Sequence, residues 1–145
     1  MQRTVGGRVR RLAVLAATAL ALTGGGLAVS ASPAAAASGC SGNGPVVQDW
    51  WNPPRATKYC NAYRSGYVYA IASQGELSGY LYAGTSWFVC QLTGGENPAV
   101  GSAHNNWWLY TQGDTAYNYG GWGWFPATMV SGGGNYQPVP GLPIC

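Results

Sequence analysis

Charge is scarce in this chain. It carries seven Lys or Arg, four Asp or Glu and one His in 145 residues. Four of the cations, Arg3, Arg8, Arg10 and Arg11, crowd into the first eleven positions. After residue 37 only Arg55, Lys58 and Arg64 remain, against Asp49, Glu76, Glu96 and Asp114. Three against four leaves that part at −1. No basic patch is left to neutralise phosphates, which excludes nucleic acid and anionic membrane as partners of the mature part. There is no C-x-x-C and no His pair, so the zinc-site spacing is missing. A G-x-S-x-G nucleophile elbow is absent too. Gly120-Gly121-Trp122-Gly123 is glycine-rich but lacks the Lys and following helix of a phosphate loop. No cofactor motif is left to consider. Beyond residue 37 no stretch sustains a 3.6-residue apolar period, which argues against long amphipathic helices.

Aromatics are missing from the first 37 residues and dense thereafter: seven Trp, ten Tyr and two Phe. The first 37 have the layout of a secretory signal peptide. The arginines come first, Leu12 to Val29 is apolar, and Ala34 to Ala37 supplies small residues for cleavage after Ala37. A retained membrane helix is the competing reading. Gly24-Gly25-Gly26 and the small-residue stretch fit cleavage better, and the apolar run is marginal for spanning. Ala37-Ser38-Gly39-Cys40 lacks the large aliphatic residue of a lipoprotein box. The expected mature protein is secreted, free or held at the cell wall, with no membrane attachment after cleavage. It is expected to be one domain, since a chain of this size has one modest core, and to act as a monomer.

All four cysteines, Cys40, Cys60, Cys90 and Cys145, lie in the exported part. Outside the cell an even count implies two disulfides. Three connectivities are open. Local loop closure favours Cys40–Cys60, which leaves Cys90–Cys145 to pin the tail.

Gly42, Gly44 and Pro53-Pro54 make residues 38–66 an irregular N-terminal segment, with Trp50-Trp51 expected to pack onto the domain. From Tyr67 short aromatic and β-branched runs alternate with turn residues. Strands are expected over Tyr67–Ala72, Gly79–Ala83, Ser86–Leu92, Asn106–Gln112 and Gly121–Phe125, with a short run at Thr128–Ser131. This predicts an all-β fold, a small curved barrel over 67–131. Pro138, Pro140 and Pro143 predict an extended Pro-rich tail over 132–145.

Within 67–131, Tyr67-Val68-Tyr69-Ala70-Ile71, Trp107-Trp108-Leu109 and Gly123-Trp124-Phe125-Pro126-Ala127-Thr128-Met129-Val130 follow one another in a recognisable order. They resemble the opening strand, the paired tryptophans and the closing segment of an SH3-like barrel of the secreted bacterial type. The resemblance covers about 64 of the roughly 108 mature residues. It implies an SH3-like barrel with an aromatic groove built from Tyr69, Trp107 and Pro126. Ile71 and Met129 stand where the family has tyrosines, and Glu76 alone represents its acidic loop. That pattern disfavours basic Pro-rich peptides, and the resemblance to secreted bacterial SH3-like domains implies a wall-binding module. Trp124 joins the candidate surface because it shares a strand face with Trp122. Asn105, Asn106, Tyr110 and Gln112 can supply hydrogen bonds beside a stacking ring. Pro140-Gly141-Leu142-Pro143 is itself a P-x-x-P that can dock in cis over Trp107 and Pro126. An inert tail fastened to the barrel side is the plainer alternative.

Catalysis has little support in the residues. His104 is alone in a loop, and bridged cysteines leave it no thiol partner. Three of the four acids sit beside Gly, Asn or polar turn residues, which fits solvated turns better than a glycosidase pair. The expected function is non-catalytic binding of a cell-wall polymer, peptidoglycan or another extracellular peptide or glycan. The alternative is an inhibitor of a secreted hydrolase, acting through the long Gln91–Asn105 loop.

Overall fold

The computed structural model describes residues 39–145. The signal-peptide reading concerns residues outside that range. Among the described residues there is no α-helix, and no helix long and apolar enough to cross a membrane. The strands are β1 (Lys58–Ala62), β2 (Gly66–Tyr69), β3 (Leu77–Leu81), β4 (Gly84–Phe88), β5 (Gln91–Thr93), β6 (Trp107–Gln112), β7 (Thr115–Ala116) and β8 (Trp122–Pro126). Six of them form a sheet in the order β5-β6-β8-β2-β3-β7, while β1 and β4 pair separately. The six-stranded ladder ends at β5 and β7 and does not close on itself.

Two departures from the sequence reading have physical causes. Residues 38–66 are not wholly irregular, because β1 runs antiparallel to β4 from Lys58↔Phe88 to Ala62↔Gly84. Its inward residues are the small Cys60 and Ala62, both buried, with Tyr59 and Asn61 outward. Period two is present, but without the large apolar residues that make it legible. The expected strand Ser86–Leu92 is instead two strands in different sheets. β4 pairs with β1, the chain turns at Val89-Cys90, and β5 pairs with β6.

The core lies between the two sheets. Val68, Leu109 and Phe125 from the large sheet meet Ala62 and Phe88 from the small one. Phe88 and Phe125 have ring centroids 6.1 Å apart. The tail belongs to this core: Val139 is 1 % exposed and Leu142 5 %. Gln91, fully buried, holds them. Its Nε2 donates to the carbonyls of Val139 and Leu142, each at 2.8 Å, and its Oε1 accepts from the Val139 N–H at 2.8 Å.

The disulfides are Cys40–Cys60 and Cys90–Cys145, and no cysteine is free. The first ties the N-terminal segment to β1. The second fastens the tail beside β5. Two bridges are compatible with an extracellular setting.

Candidate binding groove

Strand register sorts the aromatics onto two faces. Partners directly opposite in an antiparallel pair point the same way, and neighbours along a strand point oppositely. In β6 and β8, Trp108 opposes Pro126, Tyr110 opposes Trp124, and Gln112 opposes Trp122. Tyr69 on β2 also opposes Trp124. These residues therefore share the outer face of the large sheet. Trp107 is one step out of phase. It falls on the inner face with Leu109, half-buried and packed against the core.

The anticipated groove of Tyr69, Trp107 and Pro126 is thus not assembled at one place. Trp108, not its neighbour, meets Tyr69, with ring centroids 5.4 Å apart at 80°. Both are buried, and Pro126 is fully buried as well. Trp124 is half-buried on the outer face. The hydrogen-bonding side chains are largely spent internally. Asn105 Nδ2 donates to the carbonyls of Gly134 and Gln137, and Gln112 Nε2 to that of Gly120. Pro140–Pro143 lies along the β5 edge, where Gln91 N–H donates to the Pro143 carbonyl at 2.9 Å.

An open concave surface lies elsewhere on the outer face. A cleft of about 400 Å³ is lined chiefly by Trp51, Ile71, Glu76, Tyr119, Trp122 and Trp124. A second lobe of about 240 Å³ is lined by Asn52, Arg55, Leu92 and the Cys90–Cys145 bridge. Tyr110 and Trp124 border both lobes, so the two make one groove with an aromatic ridge across it. Their ring centroids are 4.9 Å apart, and Tyr110 stacks on Trp122 at 5.7 Å and 25°.

No family model, curated protein or solved structure matches this chain.

Trp50 and Trp51, expected to pack onto the domain, do so only at one edge: Trp51 lies 6.4 Å from the Tyr119 ring, yet Trp50 is 76 % exposed and Trp51 62 %. The turn that presents them is built on Asp49. Its Oδ1 accepts from the N–H of Trp51 at 2.8 Å and of Asn52 at 2.7 Å, an Asx-type turn. Asp49 Oδ2 accepts from Arg55 Nη2 at 3.0 Å and from the Tyr110 hydroxyl at 2.8 Å. Asn52 Nδ2 also donates to the carboxylate. The Asp49 side chain has no solvent exposure. Burial pushes its pKa up, but donation from Tyr110, Asn52 and the Trp51 and Asn52 N–H groups outweighs that and holds it below the ordinary value. Tyr110 answers in kind: burial and then the Asp49 carboxylate push its hydroxyl well above the usual phenol range. The buried charge is paired and fully bonded, the condition under which it can be kept. Arg55 also lies over the Tyr110 ring, 5.0 Å from its centroid.

Tyr119 reaches the opposite wall through a turn of unusual backbone. Its φ is +52°, and Gly120 and Gly121 follow at +63° and +82°. Tyr119 hydroxyl donates to Glu76 Oε1 at 3.0 Å, and its ring is 6.4 Å from Trp51. Gly123 is required where β8 meets β2, since a Cβ there would lie 2.2 Å from the Tyr69 carbonyl oxygen. His104 lies outside this groove, half-exposed, with Nδ1 3.8 Å from Glu96 Oε1, and its carbonyl accepts from the Tyr136 N–H. Among the described residues no three His, Cys, Asp or Glu gather as a metal site.

Asp49 and Tyr119 carry the groove together with Tyr110, and of the three only Tyr110 is legible in the sequence, as a hydrogen-bonding group beside a stacking ring. The one local signal is Asp49-Trp50-Trp51-Asn52, where an Asx turn beside tandem tryptophans marks a presented aromatic pair.

Proposed function

We propose that this is a secreted, non-catalytic binding module that engages peptidoglycan or another extracellular peptide or glycan polymer through the Trp51–Tyr110–Trp124 groove. The observation that carries this is the exposure of Trp51 beside a groove bordered by Trp124 and Tyr119. Large aromatic faces are costly to leave in water, and they are well suited to stacking on sugar rings and peptide groups. The two lobes offer an elongated site, as a linear polymer requires. The rigid Asp49 turn reduces the ordering cost of binding. Secretion rests on the N-terminal layout and the two disulfides. The SH3-like reading of the fold is supported by its three motif segments falling on the adjacent strands β6, β8 and β2.

Co-sedimentation of the oxidised protein with insoluble peptidoglycan tests this. Trp51→Ala and Trp124→Ala are expected to lose saturable binding. Trp107→Ala is expected to keep it, with a lowered melting temperature, because that ring serves the core. Equal binding by all three variants and the parent would remove the groove from consideration.

One observation favours the second reading, inhibition of a secreted hydrolase. The long loop is held at its base, with Gly95 N–H donating to the Ala72 carbonyl and Asn97 N–H to that of Asn105. Its tip, Val100–Ala103, is a tight turn. Stoichiometric inhibition of a secreted protease or glycosidase, abolished by shortening residues 99–102, would support it.

A further inference from the structure

The larger lobe of the groove combines three features. Its walls are aromatic: Trp51, Tyr119 and Trp124 stand around a floor made by Tyr110 and Trp122. Its one charged lining residue is Glu76. And Glu76 has no ion pair among the described residues, where the two pairs present are Arg55–Asp49 and His104–Glu96. A carboxylate without a cation, at the rim of a cavity walled by π faces, favours a positively charged guest. Aromatic rings attract a cation through their negative faces, most strongly where water is displaced.

The chemistry of the lining narrows the guest further. A primary ammonium carries three N–H donors, and each must find an acceptor when it leaves water. The lobe offers the Glu76 carboxylate and otherwise mostly rings. A methylated ammonium keeps its charge and has few or no N–H groups to satisfy. The cavity of about 400 Å³ is ample for a trimethylammonium head. The adjoining lobe already contains the same type of contact, with Arg55 seated over Tyr110. The backbone at Tyr119 adds an independent sign. A non-glycine residue at φ +52° is held in a sparsely populated region, and such residues concentrate at ligand clamps. Here the strained residue brings its ring to the cavity wall and its hydroxyl to Glu76.

We propose that the Trp51–Tyr119–Trp124 lobe is a cage for a methylated ammonium group, with Glu76 as its counter-charge. This rests on the groove being a binding surface, but not on the identity of the polymer. Choline serves as the probe. Its neutral carbon isostere, 3,3-dimethylbutan-1-ol, has the same shape without the charge.

The test titrates each compound into the oxidised full-length protein and follows tryptophan fluorescence. Choline is expected to give saturable quenching in the millimolar range, with the isostere about tenfold weaker or more. Glu76→Gln is expected to weaken choline about three- to tenfold and leave the isostere unchanged. Glu76 is exposed, so this variant should fold, and an unaltered melting temperature verifies that. Tyr119→Phe removes the bond to Glu76 but keeps the ring, and should weaken choline less than Tyr119→Ala. Equal affinity for choline and the isostere overturns the cage. So does choline binding that Glu76→Gln leaves untouched. Peptidoglycan binding that persists and depends on Trp124, while choline fails to bind, overturns the cage and leaves the groove reading standing. Choline binding without any polymer binding does the reverse.

Discussion

The Tyr110 hydroxyl donates to Asp49 Oδ2 across 2.8 Å, joining residues 61 positions apart in the chain. Through that bond a strand of the large sheet holds the turn that presents Trp51. Asp49 is therefore both an anchor of the N-terminal segment and the support of one groove wall. Binding and stability are linked at this point.

Tyr110→Phe removes one donor from a buried carboxylate and nothing else of comparable size. Hydrogen bonds to charged groups are worth about 1.5–3 kcal/mol. We expect a loss of about 2 kcal/mol in urea denaturation, together with a fall in polymer affinity as the Trp51 turn loosens. Retained affinity with lowered stability would detach the turn from the site.

The Asp49 carboxyl has a folded pKa below its ordinary 3.8. A depressed carboxyl contributes stability that is fully present above the unfolded value. That contribution is lost as pH falls through the lower folded value. Denaturation midpoints should thus be flat for this group from neutrality down to about pH 5 and decline below pH 4. Asp49→Asn should be less stable at neutral pH and show a shallower acid decline. A variant with the parent's full acid slope would assign that slope to other groups.

Gln91 makes three side-chain hydrogen bonds to the tail backbone from a fully buried position. Gln91→Leu keeps the volume, strands the Leu142 carbonyl and the Val139 N–H in the core, and leaves the Val139 carbonyl only the long bond from the Leu142 N–H at 3.5 Å. Each buried unsatisfied group costs about 1–3 kcal/mol. Destabilisation of at least about 3 kcal/mol is expected, with faster hydrogen exchange at Val139 as the local readout. Protection at Val139 equal to the parent's would show that the tail is held by other contacts.

The two disulfides close loops of different length, with sequence separations of 20 and 55. Chain-entropy arguments give about 3 kcal/mol for the shorter and about 4 kcal/mol for the longer. Replacing both Cys90 and Cys145 by Ala should lower stability more than replacing Cys40 and Cys60. It also removes one wall of the smaller lobe, so affinity should drop with it. The opposite ranking would mean that the N-terminal bridge has the larger energetic role.

The all-β class and most strands were legible because aromatic and β-branched residues recur between glycine-rich turns. The disulfide pairing agreed with simple loop closure. β1 was not legible, since its inward residues are only Cys60 and Ala62. Nor was the break at Val89-Cys90, because an apolar run reads as one strand even when its two halves join different sheets. Sequence adjacency could not distinguish Trp107 from Trp108 either. A one-residue change of phase turns a side chain to the opposite face, and only the pairing with β8 sets that phase.

By itself the sequence determined the composition of the chain: few charges, nineteen aromatics after residue 37, and four cysteines that can bridge. These are sums over residues, and they survive any arrangement of the chain. Which rings meet water was decided by tertiary structure alone. Tyr110 reaches the Asp49 carboxylate from 61 positions away, and Tyr119 reaches Glu76 from 43 positions away. Such long-range contacts depend on strand register and on the desolvation of a charge, and neither is encoded in any local stretch of the chain.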